Sequence, residues 1–97
     1  MKGGWVYIMA DRYRGTMYIG VTADLARRMS QHRDGRGSAF VAKYKLFRLV
    51  HAEQFERIDE AIAREKALKH WLRPWKIELI ERGNPNWLDL YEQLMGA

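Results

Sequence analysis

Trp5-Val6-Tyr7-Ile8-Met9, then the polar, glycine-containing stretch Asp11-Arg12-Tyr13-Arg14-Gly15-Thr16, then Met17-Tyr18-Ile19-Gly20-Val21, decide the fold of this chain. Both apolar runs have strand length and β-branched or aromatic content. The stretch between them is longer than a two-residue turn and suits a wider hairpin loop. Period-two alternation places Trp5, Tyr7 and Met9 on one face, with Val6 and Ile8 on the other. In the second run Tyr18 and Gly20 oppose Met17, Ile19 and Val21. Antiparallel pairing then brings Tyr7 and Tyr18 to the same side of the sheet.

Downstream, Thr22 and Asp24 mark a helix start, and the helix runs to about Asp34 and stops at Gly35. Leu25, Met29 and His32 form its apolar stripe, and Arg28 and His32 are neighbours at i,i+4. Gly35-Arg36-Gly37-Ser38 reads as a flexible basic loop, and Phe40 to Lys45 as a short basic and aromatic segment. A third strand spans Phe47 to Glu53. A long helix follows over about Asp59 to Leu72, interrupted at Pro74, and a shorter one runs from Trp75 to Glu81 and ends at Gly83. Asn84-Pro85-Asn86 reads as a turn before a last helix over 87–95. The expectation is an α/β fold, with a small three-stranded antiparallel β-sheet flanked by helices. One domain over 1–97 is expected, with a core of about 4–82.

A chain of 97 residues, 47% hydrophobic and 30% charged, can bury one modest core. No apolar run approaches the length of a membrane span. The absence of cysteine excludes thiolate metal sites and thiol nucleophiles, and it fits a reducing, cytoplasmic setting. Charge is uneven. Residues 1–50 hold ten Lys/Arg against three Asp/Glu, whereas 51–97 hold seven against nine. A basic first half suggests a polyanionic partner, with nucleic acid foremost.

On the Ile58–Leu72 segment, Ile58, Ala61, Ile62, Leu68 and Leu72 trace one helical face, and Glu65 stands where that face calls for an apolar residue. A carboxylate there loses hydration and needs a partner. Mg²⁺ is one, since it often takes one or two protein carboxylates and completes its shell with water and phosphate. The plainer alternative is an i,i+4 pair with Lys69.

Taken together these residues resemble the GIY-YIG nuclease superfamily. Trp5-Val6-Tyr7 stands for the first motif, with Trp5 in place of its leading glycine, and Tyr18-Ile19-Gly20 matches the second in full. Asp24-Leu25, Arg28, His32 and the run Ala61-Ile62-Ala63-Arg64-Glu65-Lys66 match the two helices that follow. About residues 4 to 90 look like the small standalone bacterial members. The resemblance implies a single-metal endonuclease using Mg²⁺ or Mn²⁺ on DNA, with branched or damaged substrates and a place in repair or recombination. Carried over by position, Tyr7 acts on the attacking water and Tyr18 supports it or holds the phosphate. Arg28 neutralises the phosphorane, His32 relays a proton or sets the ionisation of Tyr7, and Glu65 holds the metal. A late asparagine of the family has its nearest counterpart in Asn84.

Arg33, Arg36, Lys43 and Lys45, in or beside loops after the Arg28 helix, and Lys69 on the Glu65 helix, are the candidate phosphate contacts. Trp71 and Trp75 are read mainly as packing residues. Two other readings keep the scaffold and drop the chemistry. One is a catalytically weak nucleic-acid-binding or adaptor module. The other is a domain that works in a complex, through a protein partner on an exposed helix face carrying Trp87 and Tyr91.

Overall fold

This computed structural model describes residues 3–96, in the order β1 (Gly4–Ala10), β2 (Met17–Thr22), α1 (Leu25–Arg33), α2 (Ala39–Tyr44), β3 (Arg48–Phe55), α3 (Ile58–His70), α4 (Arg73–Gly83) and α5 (Tyr91–Met95). Met1, Lys2 and Ala97 of the expected 1–97 domain lie outside the described residues. The sheet is antiparallel with order β2-β1-β3, and it matches the expected three-stranded sheet flanked by helices. The central position of β1 explains why five consecutive residues, Val6 to Ala10, are almost fully buried. Helices cover both faces of the sheet, so both sides of the alternation must be apolar.

The two faces carry separate cores. Tyr7, Met9 and Leu49 pack against Leu25 and Met29 of α1, Val41 of α2 and Leu46. Val6, Ile8, Ala10, Ile19 and Val50 pack against Ala61 and Leu68 of α3, Ile80 of α4 and Trp87. Each fully buried large apolar side chain contributes roughly 1.5–3 kcal/mol to the hydrophobic driving force. A register shift between Ile8 and Met9 leaves Val50 as the extra residue of a β-bulge in β3, which turns His51 and Glu53 toward α3. There Arg64 holds Glu53 at 2.9 Å and His51 lies 2.7 Å from it. The hydrogen bond from His51, reinforced by Arg64, holds the Glu53 carboxyl down at about 2.

Two expectations are corrected, and one segment left without an element gains one. Phe40 to Lys45 is helical in its larger part: Ser38 caps α2 by accepting from the Val41 amide, and Lys45 closes it at φ 57°. Six residues are too few for periodicity to reveal a helix. Helix α3 ends at His70, two residues short of Leu72, which is exposed, and Ile62 is exposed too, so the buried stripe narrows to Ala61 and Leu68 with Ile58 partly covered.

The last helix begins at Tyr91, not Trp87. Trp87 is fully buried, with a left-handed φ of 57°. Its indole donates to Glu81 at 2.8 Å and its carbonyl accepts from Arg48. No exposed face carries Trp87.

Long-range polar contacts hold the periphery. Arg14 in the β1–β2 loop forms a two-pronged pair with Glu81 of α4, at 2.8 Å on both prongs. Arg73 donates to the Gly15 carbonyl at 2.8 Å. The stretch before α5 lies along the outer edge of β3: the Leu90 amide donates to the Leu49 carbonyl, and Asp89 accepts from the Leu49 amide.

Candidate active site at the sheet edge

Tyr7 stands opposite Gly20 in the β1–β2 register, and Tyr18 stands opposite Met9. The two phenols therefore share a face on a diagonal, with ring centroids 6.3 Å apart. A Cβ at Gly20 would overlap the ring and hydroxyl of Tyr7, so the glycine of the second motif is the space into which the first tyrosine folds.

Helix α1 supplies the rest of this face. Asp24 caps it by accepting from the Arg27 amide, and Leu25 and Met29 dock it on the sheet. That docking buries His32 completely, with Nε2 at 2.8 Å from the Tyr7 hydroxyl. Its ring also lies edge-on to Tyr18 at 5.8 Å. A Cβ at Gly37 would come within 2.6 Å of His32 Nδ1, so the Gly-Arg-Gly loop closes tightly over the imidazole. Sequence reading saw that loop only as flexible and basic. Its signal was the second glycine, a close-approach residue rather than a hinge.

Burial and the nearby Arg28 cation both lower the pKa of His32, so the ring is neutral near pH 7 and carries one proton. Among the described residues Nδ1 has no hydrogen-bond partner. A buried N–H without a partner is rarer and costlier than a bare lone pair, which assigns the proton to Nε2, donating to the Tyr7 oxygen. Burial pushes the Tyr7 phenol above its ordinary value and the neighbouring Tyr18 adds to this, while Arg28 pulls in the opposite direction. Arg28 thus acts electrostatically on the same oxygen. Among the described residues no ion pair engages it, and it lines a polar groove with Thr22, Ala23, Asp24, Arg27 and Gln31. Tyr7, Tyr18, Arg28 and His32 therefore form one cluster.

Glu65 belongs to the other layer. Helix α3 packs across β1 and β2 on the opposite face, and the Glu65 side chain is 15% exposed, 3.2 Å from Lys69. Lys69 in turn lines a depression of about 330 Å³ with Met17, Tyr18 and Ile19 of β2, Phe40 of α2 and Lys76 of α4. The two layers meet around the free edge of β2, and Glu65 adjoins that meeting point through Lys69. Among the described residues no three His, Asp or Glu side chains stand close enough to share a metal ion. A metal here would rest on one carboxylate, a donor set that fits Mg²⁺ and does not fit zinc.

The remaining candidates take other places. Asn84 is buried, and its amide is consumed by the backbone: it donates to the Val50 and Leu88 carbonyls and accepts from the Leu88 amide. Arg33 holds Asp89 at 2.6 Å and lies 4.1 Å over the Tyr91 ring, tying α5 to α1. Arg36 pairs with Asp34, and Lys43 and Lys45 are exposed, with Lys43 against the Tyr44 ring. Trp71 packs on the core, with Arg64 over its ring, whereas Trp75 is half-exposed.

Two phenols on a hairpin, an Arg/His helix packed beside them and a carboxylate on a helix of the opposite layer make up the candidate site. The chain belongs to the GIY-YIG family: the model of the GIY-YIG catalytic domain matches residues 3–78. It is similar to a UPF0213 protein of Streptococcus pneumoniae serotype 4, 32% identical over 94 residues, covering 96% of this chain and 94% of that one. A UPF0213 protein of Staphylococcus saprophyticus is 30% identical over 83 residues, covering 86% of this chain and all of its own. The solution NMR structure of a UPF0213 protein from Bacillus halodurans superposes with a TM-score of 0.57 at 29% identity, over 93% of this chain and 95% of that one. No helix among the described residues is long and apolar enough to cross a membrane.

Proposed function

We propose that this protein is a divalent-metal-dependent endonuclease that hydrolyses DNA phosphodiester bonds, on branched or damaged substrates in repair or recombination. The observation that carries the reading is the buried 2.8 Å contact between Tyr7 and His32 beside Arg28, which no ion pair engages among the described residues. Arg28 and the Nε2–H of His32 favour the phenolate of Tyr7, against burial and Tyr18, which hold the phenol protonated. The role of Tyr7 is to take a proton from the attacking water as general base. Tyr18, half-buried beside it, orients that water or a phosphate oxygen. Arg28 opens onto the polar groove and neutralises charge developing on the phosphorus oxygens. His32 keeps the Tyr7 oxygen in place and supplies the hydrogen bond that lowers the cost of its ionisation.

Glu65 would hold Mg²⁺ or Mn²⁺, exchanging its pair with Lys69 for the metal. When bound, such an ion supplies charge neutralisation at the phosphate and the leaving oxygen. The +7 net charge of residues 1–50 supports a nucleic-acid substrate held largely through its backbone. The test compares wild type with Glu65→Ala on plasmid and on branched DNA, with Mg²⁺, with Mn²⁺ and with EDTA. We expect nicking that needs metal and is lost in the variant. Equal cleavage by both proteins would overturn the assignment of Glu65. Binding without cleavage under every metal would favour the adaptor reading.

A further inference from the structure

A run of rings leads outward from the buried phenol. Tyr7 neighbours Tyr18 at 6.3 Å, Tyr18 stacks at 6.2 Å and 30° on Phe40, and Phe40 lies 4.8 Å from Tyr44. The last two are 43% and 45% exposed. Helix α2 docks through Val41, so Phe40 and Tyr44, one turn apart on its outer side, are not needed to bury it. The setting is cationic: Lys69 and Lys76 line the same depression as Tyr18 and Phe40, and Lys43 sits 5.3 Å over the Tyr44 ring.

We infer that Phe40 and Tyr44 form a stacking platform for an unpaired nucleobase next to the scissile phosphate. The enzyme is thereby directed to single-stranded DNA or to the single-stranded segment of a larger substrate. The inference rests on the reading of the Tyr7 cluster as a phosphodiester site. A base inside a duplex has both faces covered by its neighbours and offers none to a side chain, whereas an unstacked base offers a whole face. Exposed rings among lysines thus discriminate by strand state rather than by sequence. Lys69 and Lys76 take the phosphates flanking the base, which orients the strand toward Tyr18.

Binding can be measured without cleavage, by fluorescence anisotropy in EDTA, with a labelled short oligodeoxynucleotide of mixed sequence and its blunt duplex. The single strand should bind more tightly than the duplex. Phe40→Ala should weaken single-strand binding by about tenfold, within the range that base–aromatic stacking supplies, and leave duplex binding unchanged. Phe40→Trp should restore it. If Phe40→Ala fails to fold, Phe40→Leu, which keeps the apolar bulk without the ring, should show the same selective loss. Equal affinity for duplex and single strand would overturn the inference. So would wild-type single-strand binding by Phe40→Ala or Phe40→Leu. Failure of the nuclease reading shows differently, as selective single-strand binding with no cleavage when metal is restored.

Discussion

Gly20 lies directly across from Tyr7 in the antiparallel register, and the atom it lacks is the one that would collide with the phenol. The family's second motif is therefore partly a statement about the first. Its tyrosine contributes a group and its glycine contributes a gap. Gly20→Ala should push the Tyr7 ring out of line with His32 and overpack a closed core. We expect a loss of about 1–3 kcal/mol, seen as a melting temperature lower by roughly 4–8 °C per kcal/mol for a domain of this size. Cleavage should fall by about a hundredfold or more, in line with the cost of misplacing a reacting group. Thermal melts and nicking rates on the purified variant check both.

The Tyr7 phenol is raised above its ordinary value by burial and by Tyr18, against the pull of Arg28. A raised phenol is protonated at neutral pH, so the reactive fraction grows tenfold for each unit of alkalinity. The logarithm of kcat/KM, measured between pH 6 and pH 9 (a span of roughly three units below the reference phenol pKa near 10), should climb with a slope of about one and reach no plateau. Tyr7→Phe should lower activity by about 10²–10⁴-fold, the usual contribution of a general base, and abolish the slope. A flat profile in the wild type would remove Tyr7 from the role of base.

Arg33 was a candidate phosphate contact, yet it bridges α1 to Asp89 and Tyr91. Arg33→Ala should therefore lower stability by about 1 kcal/mol, the sum expected of a partly exposed ion pair and a cation–π contact. Amide exchange in α5 should quicken. The slope of log Kd against log salt for DNA should not change, whereas loss of a phosphate contact would reduce it by about one.

The hairpin was legible because alternation and a glycine-containing loop are local signals, and the shared face of Tyr7 and Tyr18 followed from counting. Arg28 and His32 were legible as helical neighbours, but the contact from His32 to Tyr7 spans 25 residues and depends on how α1 docks. Glu65 stood out by periodicity, yet the structure shows the plainer alternative: its carboxylate pairs with Lys69 one turn on, and Ile62 and Leu72 of the same stripe are exposed. What stayed hidden was non-local. The left-handed Trp87 is fixed by Glu81 and Arg48, Arg33 is claimed by a residue 56 positions away, and Asn84 is absorbed by the backbone of β3 and the turn. Short α2 carried its signal in one capping serine.

The sheet has two margins, and they are treated differently. Along β3 the segment around Asp89 and Leu90 occupies backbone groups that would otherwise invite another strand. Along β2 the depression carries Lys69 and Lys76, and lysines at an open strand margin are a known guard against self-association. The cations that we assign to the flanking phosphates thus have a second duty when no nucleic acid is present. A variant stripped of both to weaken DNA binding would also lose its guard against edge-to-edge aggregation, and its bound form would be the more soluble one.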